Sequence, residues 1–126
     1  MSRTAKNKGK SGQNEIRDKL LEAFPELEPD DIKSTTMGEI GVDIQLSPAA
    51  HKLIPLAIEV KRRKSALKTL YDWYAQAKHH GKGEPVVIFR ADYKPWLVVV
   101  GIDHYIGLLK DVQLAKETKK EEGGGT

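Results

Sequence analysis

The sequence predicts an α/β fold, a central mixed β-sheet flanked by helices, and three observations predict it. Ile16, Leu20, Leu21 and Phe24 recur at helical spacing. The apolar period then shortens to two in Leu56, Ile58 and Val60, as in a strand with one buried face. A helical pattern separates that strand from the β-branched run at 85–90. A strand-helix-strand crossover of this kind places parallel neighbours in a sheet whose other connections are hairpins, which makes the sheet mixed.

Each element has a local reason. Residues 1–10 are rich in Lys with small and polar partners and lack periodicity, so a flexible basic arm is expected there. Helix one is predicted from Ser11, a candidate N-cap, to Phe24, with Pro25 closing it. The acidic stretch to Asp31 reads as a loop, and 32–35 as a short edge strand before Gly38 and Gly41. From Val42 the alternation of Asp43, Ile44, Gln45 and Leu46 marks a strand. Residues 47–55 read as a loop and 56–61 as the next strand. A helix capped by Ser65 is expected to about Lys78, with Gly81 as its stop. Residues 85–90 and 96–102 form a hairpin around 91–95, and Ile102, Tyr105, Ile106, Leu109 and Val112 fit a last helix. The tail at 116–126 is charged and ends in glycines.

The 126 residues suit one domain, the segment 11–115 between arm and tail. With 39% hydrophobic and 31% charged residues the chain can build a core. It has no cysteine, which excludes a disulfide framework, a thiol nucleophile and a cysteine zinc site. No apolar run approaches the ~18 residues of a membrane span, and the N-terminus lacks a signal-peptide pattern. The expected compartment is the cytoplasm, or the host cytoplasm for a virus-encoded chain. Net charge is only +3, but the cations cluster: Arg3, Lys6, Lys8 and Lys10; Lys61, Arg62, Arg63, Lys64 and Lys68; Lys78, His79, His80 and Lys82. Clustering of this kind favours a polyanionic partner, although any single block is equally an ordinary solvated face.

Glu59-x-Lys61 places a carboxylate and an ammonium on one strand face, about 6 to 7 Å apart by strand rise. The spacing alone is weak, since Asp31 and Lys33, Asp92 and Lys94, and Glu117 and Lys119 share it. Context separates Glu59, because a charge inside an apolar strand costs several kcal/mol unless it is paired or metal-bound. The connection between strands can bring Asp43 beside it. Two hard oxygen donors at one point suit Mg²⁺, with Mn²⁺ as a substitute. Lys61 would then orient or deprotonate an attacking water, or neutralise charge developing on a phosphate. Glu15, one position off the apolar face of helix one, can border the sheet and serve a second metal or a bound water. The competing structural account makes Glu59 and Lys61 an ion pair and Glu15 a surface carboxylate.

These residues resemble the pattern of the PD-(D/E)XK nuclease superfamily, and within it the archaeal-type Holliday junction resolvases, over roughly residues 8–102. The pattern is a basic, glycine-containing lead-in with a helix-one glutamate (Lys8, Gly9, Lys10, Glu15), then a serine- or glycine-rich loop into an aspartate (Ser34, Thr35, Gly38, Gly41, Asp43). An apolar strand follows that ends in Glu-Val-Lys (Ala57, Ile58, Glu59, Val60, Lys61), with a basic residue after it at Arg62 or Arg63. A helix bearing Gln76 and the hairpin within 85–100 are also similar. Val42 stands where the superfamily name places proline.

The resemblance implies a restriction-endonuclease-like sheet and a Mg²⁺-dependent endodeoxyribonuclease with Glu15, Asp43, Glu59 and Lys61 as catalytic residues. It implies metal ligation by Asp43, Glu59 and the Val60 backbone carbonyl, with Gln76 as an accessory residue. It further implies a homodimer that resolves four-way DNA junctions by paired nicks, matching two-fold symmetry in enzyme and substrate. Recognition would rest on shape and phosphates, through Arg3, Lys6, Lys8, Lys10, Ser34, Arg62, Arg63 and Lys64. Tyr71, Trp73 and Tyr74 would divide between core packing and the dimer interface, while His79 and His80 are expected to face solvent at a helix end rather than bind metal. The alternatives are another PD-(D/E)XK nuclease, of flap, repair or restriction-like type, and a non-catalytic basic DNA-binding module.

Overall fold

A computed structural model describes the backbone of residues 3–35, 43–65 and 67–124, and the side chains of 11–35, 43–65 and 67–122. In order the elements are α1 (Arg3–Ala23), a 3-10 turn (Pro29–Asp31), β1 (Ile32–Ser34), β2 (Ile44–Leu46), α2 (Pro48–Leu53), α3 (Lys68–His80), β3 (Val86–Phe89), β4 (Leu97–Val100) and α4 (Ile102–Gly124). The fold is mixed α/β, with four helices and two antiparallel two-stranded sheets among the described residues. One compact unit comprises 1–64 with 109–126, the other 65–108, and α4 has residues in both.

The first unit is built around α1. Leu20 is buried on its inner face, and Phe24, whose amide bonds to the Leu20 carbonyl at 3.0 Å, follows directly. With them Leu27, Ile32, Ile44, Ala50 and Ile54 form the core of this unit. β1 and β2 pair in the register Ile32↔Leu46, Lys33↔Gln45 and Ser34↔Ile44, which sends Ile32 and Ile44 inward. α1 begins at Arg3, ahead of the expected cap at Ser11, and takes in most of the expected arm. The run has no proline to stop a helix, and Arg3, Ala5, Lys6, Lys8 and Lys10 are good helix formers that offset Thr4, Asn7 and Gly9.

α2 lies where a loop was expected. Ser47 caps it by accepting the Ala50 amide at 3.1 Å, and Pro48 sits in its first turn, a combination that favours helix initiation. The same hydroxyl donates to Asp31 Oδ1 at 2.7 Å, and the Ser47 amide donates to the Asp31 carbonyl at 2.8 Å. Asp31 Oδ2 accepts the Glu28 amide at 2.8 Å, closing the 3-10 turn.

The expected strand at 56–61 keeps its alternation: Leu56, Ile58 and Val60 are half-buried, and Ala57, Glu59 and Lys61 are exposed. It does not join β2 as a regular ladder. The Asp43 amide donates to the Ile58 carbonyl at 3.0 Å, but the next donor, the Val60 amide, goes to the Asp43 side chain instead of a backbone carbonyl. In place of the expected central mixed sheet there are therefore two separate antiparallel pairs among the described residues.

In the second unit β3 and β4 form the predicted hairpin, in the register Val86↔Val100 through Phe89↔Leu97. α3 packs on β3 with Trp73 and Phe89 ring centroids 6.1 Å apart and the planes tilted by 51°. α3 starts three positions beyond the expected cap Ser65, behind Leu67, which has a left-handed φ of 53° and provides no side-chain cap. Gly81 stops it with φ 65°, as expected of a glycine at a helix end. Of this unit's large apolar residues Val87 and Ile106 are buried, whereas Tyr71 is 70% exposed. α4 runs to Gly124 instead of giving way to a tail at 116. Lys116, Glu117 and the run Lys119 to Glu122 are good helix formers, and Gln113 bonds to Glu117 one turn on at 3.4 Å.

Candidate active site

The first unit brings three of the four predicted catalytic residues onto adjoining segments. Asp43 leads into β2, where its carbonyl accepts the Thr35 amide at 2.9 Å and its amide bonds to Ile58. Anchored twice through its backbone, Asp43 places Oδ2 2.6 Å from the Val60 amide. Glu59 and Lys61 flank that amide in the chain and form an ion pair, Lys61 Nζ to Glu59 Oε1, at 3.0 Å. The Asp43 carboxylate thus abuts the backbone that carries both. It engages the Val60 amide, on the peptide unit next to the carbonyl proposed as a ligand.

One premise of the sequence argument is corrected. The Glu59 side chain is 71% exposed and that of Lys61 66%, so no burial cost forces Glu59 to find a metal or a counter-ion. What distinguishes the pair is its position beside Asp43.

α1 adjoins the same segment through Gly12. A Cβ built there would lie 3.1 Å from Arg62 Cβ and 3.4 Å from Val60 Cγ1, so the glycine allows the helix to approach closely. The contact is reinforced by Arg62 Nη1 donating to Ser11 Oγ at 2.9 Å, and Ser34 Oγ donates to Asn14 Oδ1 at 2.8 Å, tying β1 to α1. Sequence reasoning missed Ser11, Gly12 and Asn14 as a brace. A glycine inside a helical pattern, unfavourable by about 1 kcal/mol against alanine, was the available signal. Gln13, 8% exposed, also faces inward, and its Oε1 is buried without a hydrogen-bond partner.

Glu15 is exposed on α1. Among the described residues no three His, Asp or Glu side chains are grouped so as to hold a metal, so Glu15 does not complete a carboxylate triad with Asp43 and Glu59. Asp43 and Glu59 are two carboxylates on adjoining segments, one on the Val60 amide and the other on Lys61, and their chemistry is compatible with Mg²⁺, which takes one or two carboxylates and fills its octahedron with water and phosphate oxygens.

Of the predicted DNA contacts, Arg62, Arg63 and Lys64 are exposed and Ser34 is half-buried. The side chains of Arg3, Lys6, Lys8 and Lys10, like Gly38, Gly41 and Val42, lie outside the described residues. Gln76 belongs to the second unit, where it lines a shallow pocket with Asp72, Ala75, His79 and His80. No described helix is long and apolar enough to cross a membrane. Compared with known proteins, the chain matches no family model, no curated protein and no solved structure.

Proposed function

We propose that this chain is a Mg²⁺-dependent endodeoxyribonuclease of the PD-(D/E)XK type, with a restriction-endonuclease-like site, that acts as a homodimer on four-way DNA junctions. The observation that carries the reading is the Asp43 carboxylate seated on the Val60 amide, beside the Glu59–Lys61 pair. An aspartate, then an apolar segment bearing Glu-x-Lys, is the order this chemistry uses.

Asp43 and Glu59 would hold Mg²⁺, which when bound polarises the phosphate and lowers the pKa of water. The reaction is hydrolysis. A water oxygen forms a bond to phosphorus, one P–O ester bond breaks, the water gives up a proton and the departing oxygen gains one. Lys61 is held by Glu59 where an ammonium can offset the negative charge that builds on the phosphate. The Val60 amide fixes the Asp43 carboxylate, so the acid is oriented before substrate arrives. Arg63 and Lys64, exposed just beyond the site, would meet the DNA backbone.

A second reading, a DNA-binding module without catalysis, is favoured by the exposure of the Glu59–Lys61 ion pair, which needs no metal to hold it. The two separate on incubating the protein with a labelled four-way junction and a matching linear duplex, in Mg²⁺ or in EDTA, beside Glu59→Ala. The nuclease reading expects paired nicks in the junction that need Mg²⁺ and vanish in the variant. Cutting of both DNAs points to a general nuclease of the same chemistry, and tight binding without any cutting points to the module.

A further inference from the structure

The tip of the β3–β4 hairpin presents a combination of side chains that folding alone does not explain. Residues 90–96 read Arg-Ala-Asp-Tyr-Lys-Pro-Trp, and the Lys94 amide bonds to the Ala91 carbonyl at 3.1 Å to close the turn. Tyr93, the third residue of that turn, has φ 65°. Turns that need a positive φ there normally take Gly or Asn, because a side chain with a Cβ is strained in the left-handed region. Tyr93 is also 101% exposed, so its ring recovers nothing through burial. A residue that is both strained and unburied is held for something other than stability.

Its neighbours indicate the use. Trp96 is 62% exposed, and the Arg90 guanidinium lies over its ring, 5.2 Å from the centroid. Lys94 is a second exposed cation, against one acid, Asp92. Unstacked nucleobases offer flat π faces spaced along a phosphate chain, and proteins take them up with exposed aromatic rings set among cations. A regular duplex buries those faces, and an apolar protein partner would leave the two cations unexplained.

We infer that the 90–96 tip binds nucleic acid at unstacked bases, with Tyr93 stacking on a base and Arg90 and Lys94 neutralising the adjoining phosphates. The assignment rests on the DNA reading above and deepens it, since a junction differs from linear duplex in having a branch point at which bases lose a stacking neighbour.

The test is fluorescence anisotropy in EDTA with the full chain, on three labelled DNAs: a four-way junction, a linear duplex and an oligo(dT) strand. The wild type is compared with Tyr93→Ala and Tyr93→Phe, and a circular dichroism melt of each accompanies the titrations. Tyr93→Ala is expected to weaken binding to oligo(dT) and to the junction by about tenfold or more while leaving duplex affinity nearly unchanged, and Tyr93→Phe to bind like the wild type. Equal binding by Tyr93→Ala overturns the assignment, and so does a loss in Tyr93→Phe as large as that in Tyr93→Ala, because the ring would then not be the contact. Failure of the wild type to bind any of the three overturns both this inference and the nuclease reading. Tyr93-dependent binding by a protein that cuts nothing in Mg²⁺ overturns the nuclease reading alone.

Discussion

On the proposed nuclease reading Asp43 carries a structural and a chemical task on one carboxylate, and the two can be separated. Its Oδ2 accepts the Val60 amide at 2.6 Å, holding the 56–61 segment where a ladder carbonyl would otherwise do so. Asp43→Asn keeps a carbonyl acceptor for that amide and is expected to melt within about 0.5 kcal/mol of the wild type, whereas Asp43→Ala removes the bond and costs about 1–2 kcal/mol. Both lose the anion, so on the proposed reading both are expected to abolish Mg²⁺-dependent cutting. Denaturant melts beside a cleavage assay check this, and an Asn variant that still cuts would remove Asp43 from the chemistry. The extended, alternating character of the segment that Asp43 meets was legible in the sequence, because Leu56, Ile58 and Val60 recur at a period of two. The exposure of Glu59 was not legible, since a period of two says which residues share a face but not whether another layer covers it.

Among the elements, those with a local chemical signature were legible. The hairpin follows from two β-branched runs, and the end of α3 from Gly81. α2 was missed although Ser47 and Pro48 form an N-terminal signal, because a six-residue helix leaves too short an apolar pattern to show a period. The sheet was misread because pairing between strands is a non-local property, and here a side chain occupies a ladder position. The joint between the 3-10 turn and α2 yields a pH prediction. The Ser47 hydroxyl, and then the Glu28 amide, donate to the Asp31 carboxylate and hold its pKa below the ordinary carboxylate value. A value depressed in the folded state adds stability above the unfolded value of about 3.9 and loses it as pH falls through the lower folded value. Asp31→Asn lacks this dependence. Its melting temperature is expected to lie below that of the wild type by a constant margin above about pH 5, with the margin shrinking as acid protonates Asp31. A margin that stays constant to pH 2 would mean that Asp31 does not contribute through its charge.

At the scale of the whole molecule, one domain was expected and two compact units are found. Length and composition bound the number of cores without showing how burial is shared, and here it is shared unevenly. Among the described residues the first unit buries Leu20, Phe24, Leu27, Ile32, Ile44, Ala50 and Ile54, while the second buries Val87 and Ile106 and leaves Ile88 62% and Val98 61% exposed. Apolar burial is the main favourable contribution to folding, at roughly 25 cal/mol per Å², so the unit with the thinner core opens at lower free energy. Native-state hydrogen exchange is therefore expected to show the β3–β4 amides exchanging through openings of lower free energy than the amides of β1, β2 and the inner face of α1. A hairpin that opens readily can adapt to a branched substrate, and DNA contacting its tip would stabilise the bound form. Adding oligo(dT) in EDTA should then slow exchange in β3 and β4 more than in β1 and β2, and the difference should disappear in Tyr93→Ala. Uniform protection of both units without DNA would show that they unfold as a single cooperative body, in which case the uneven burial has no consequence for local stability.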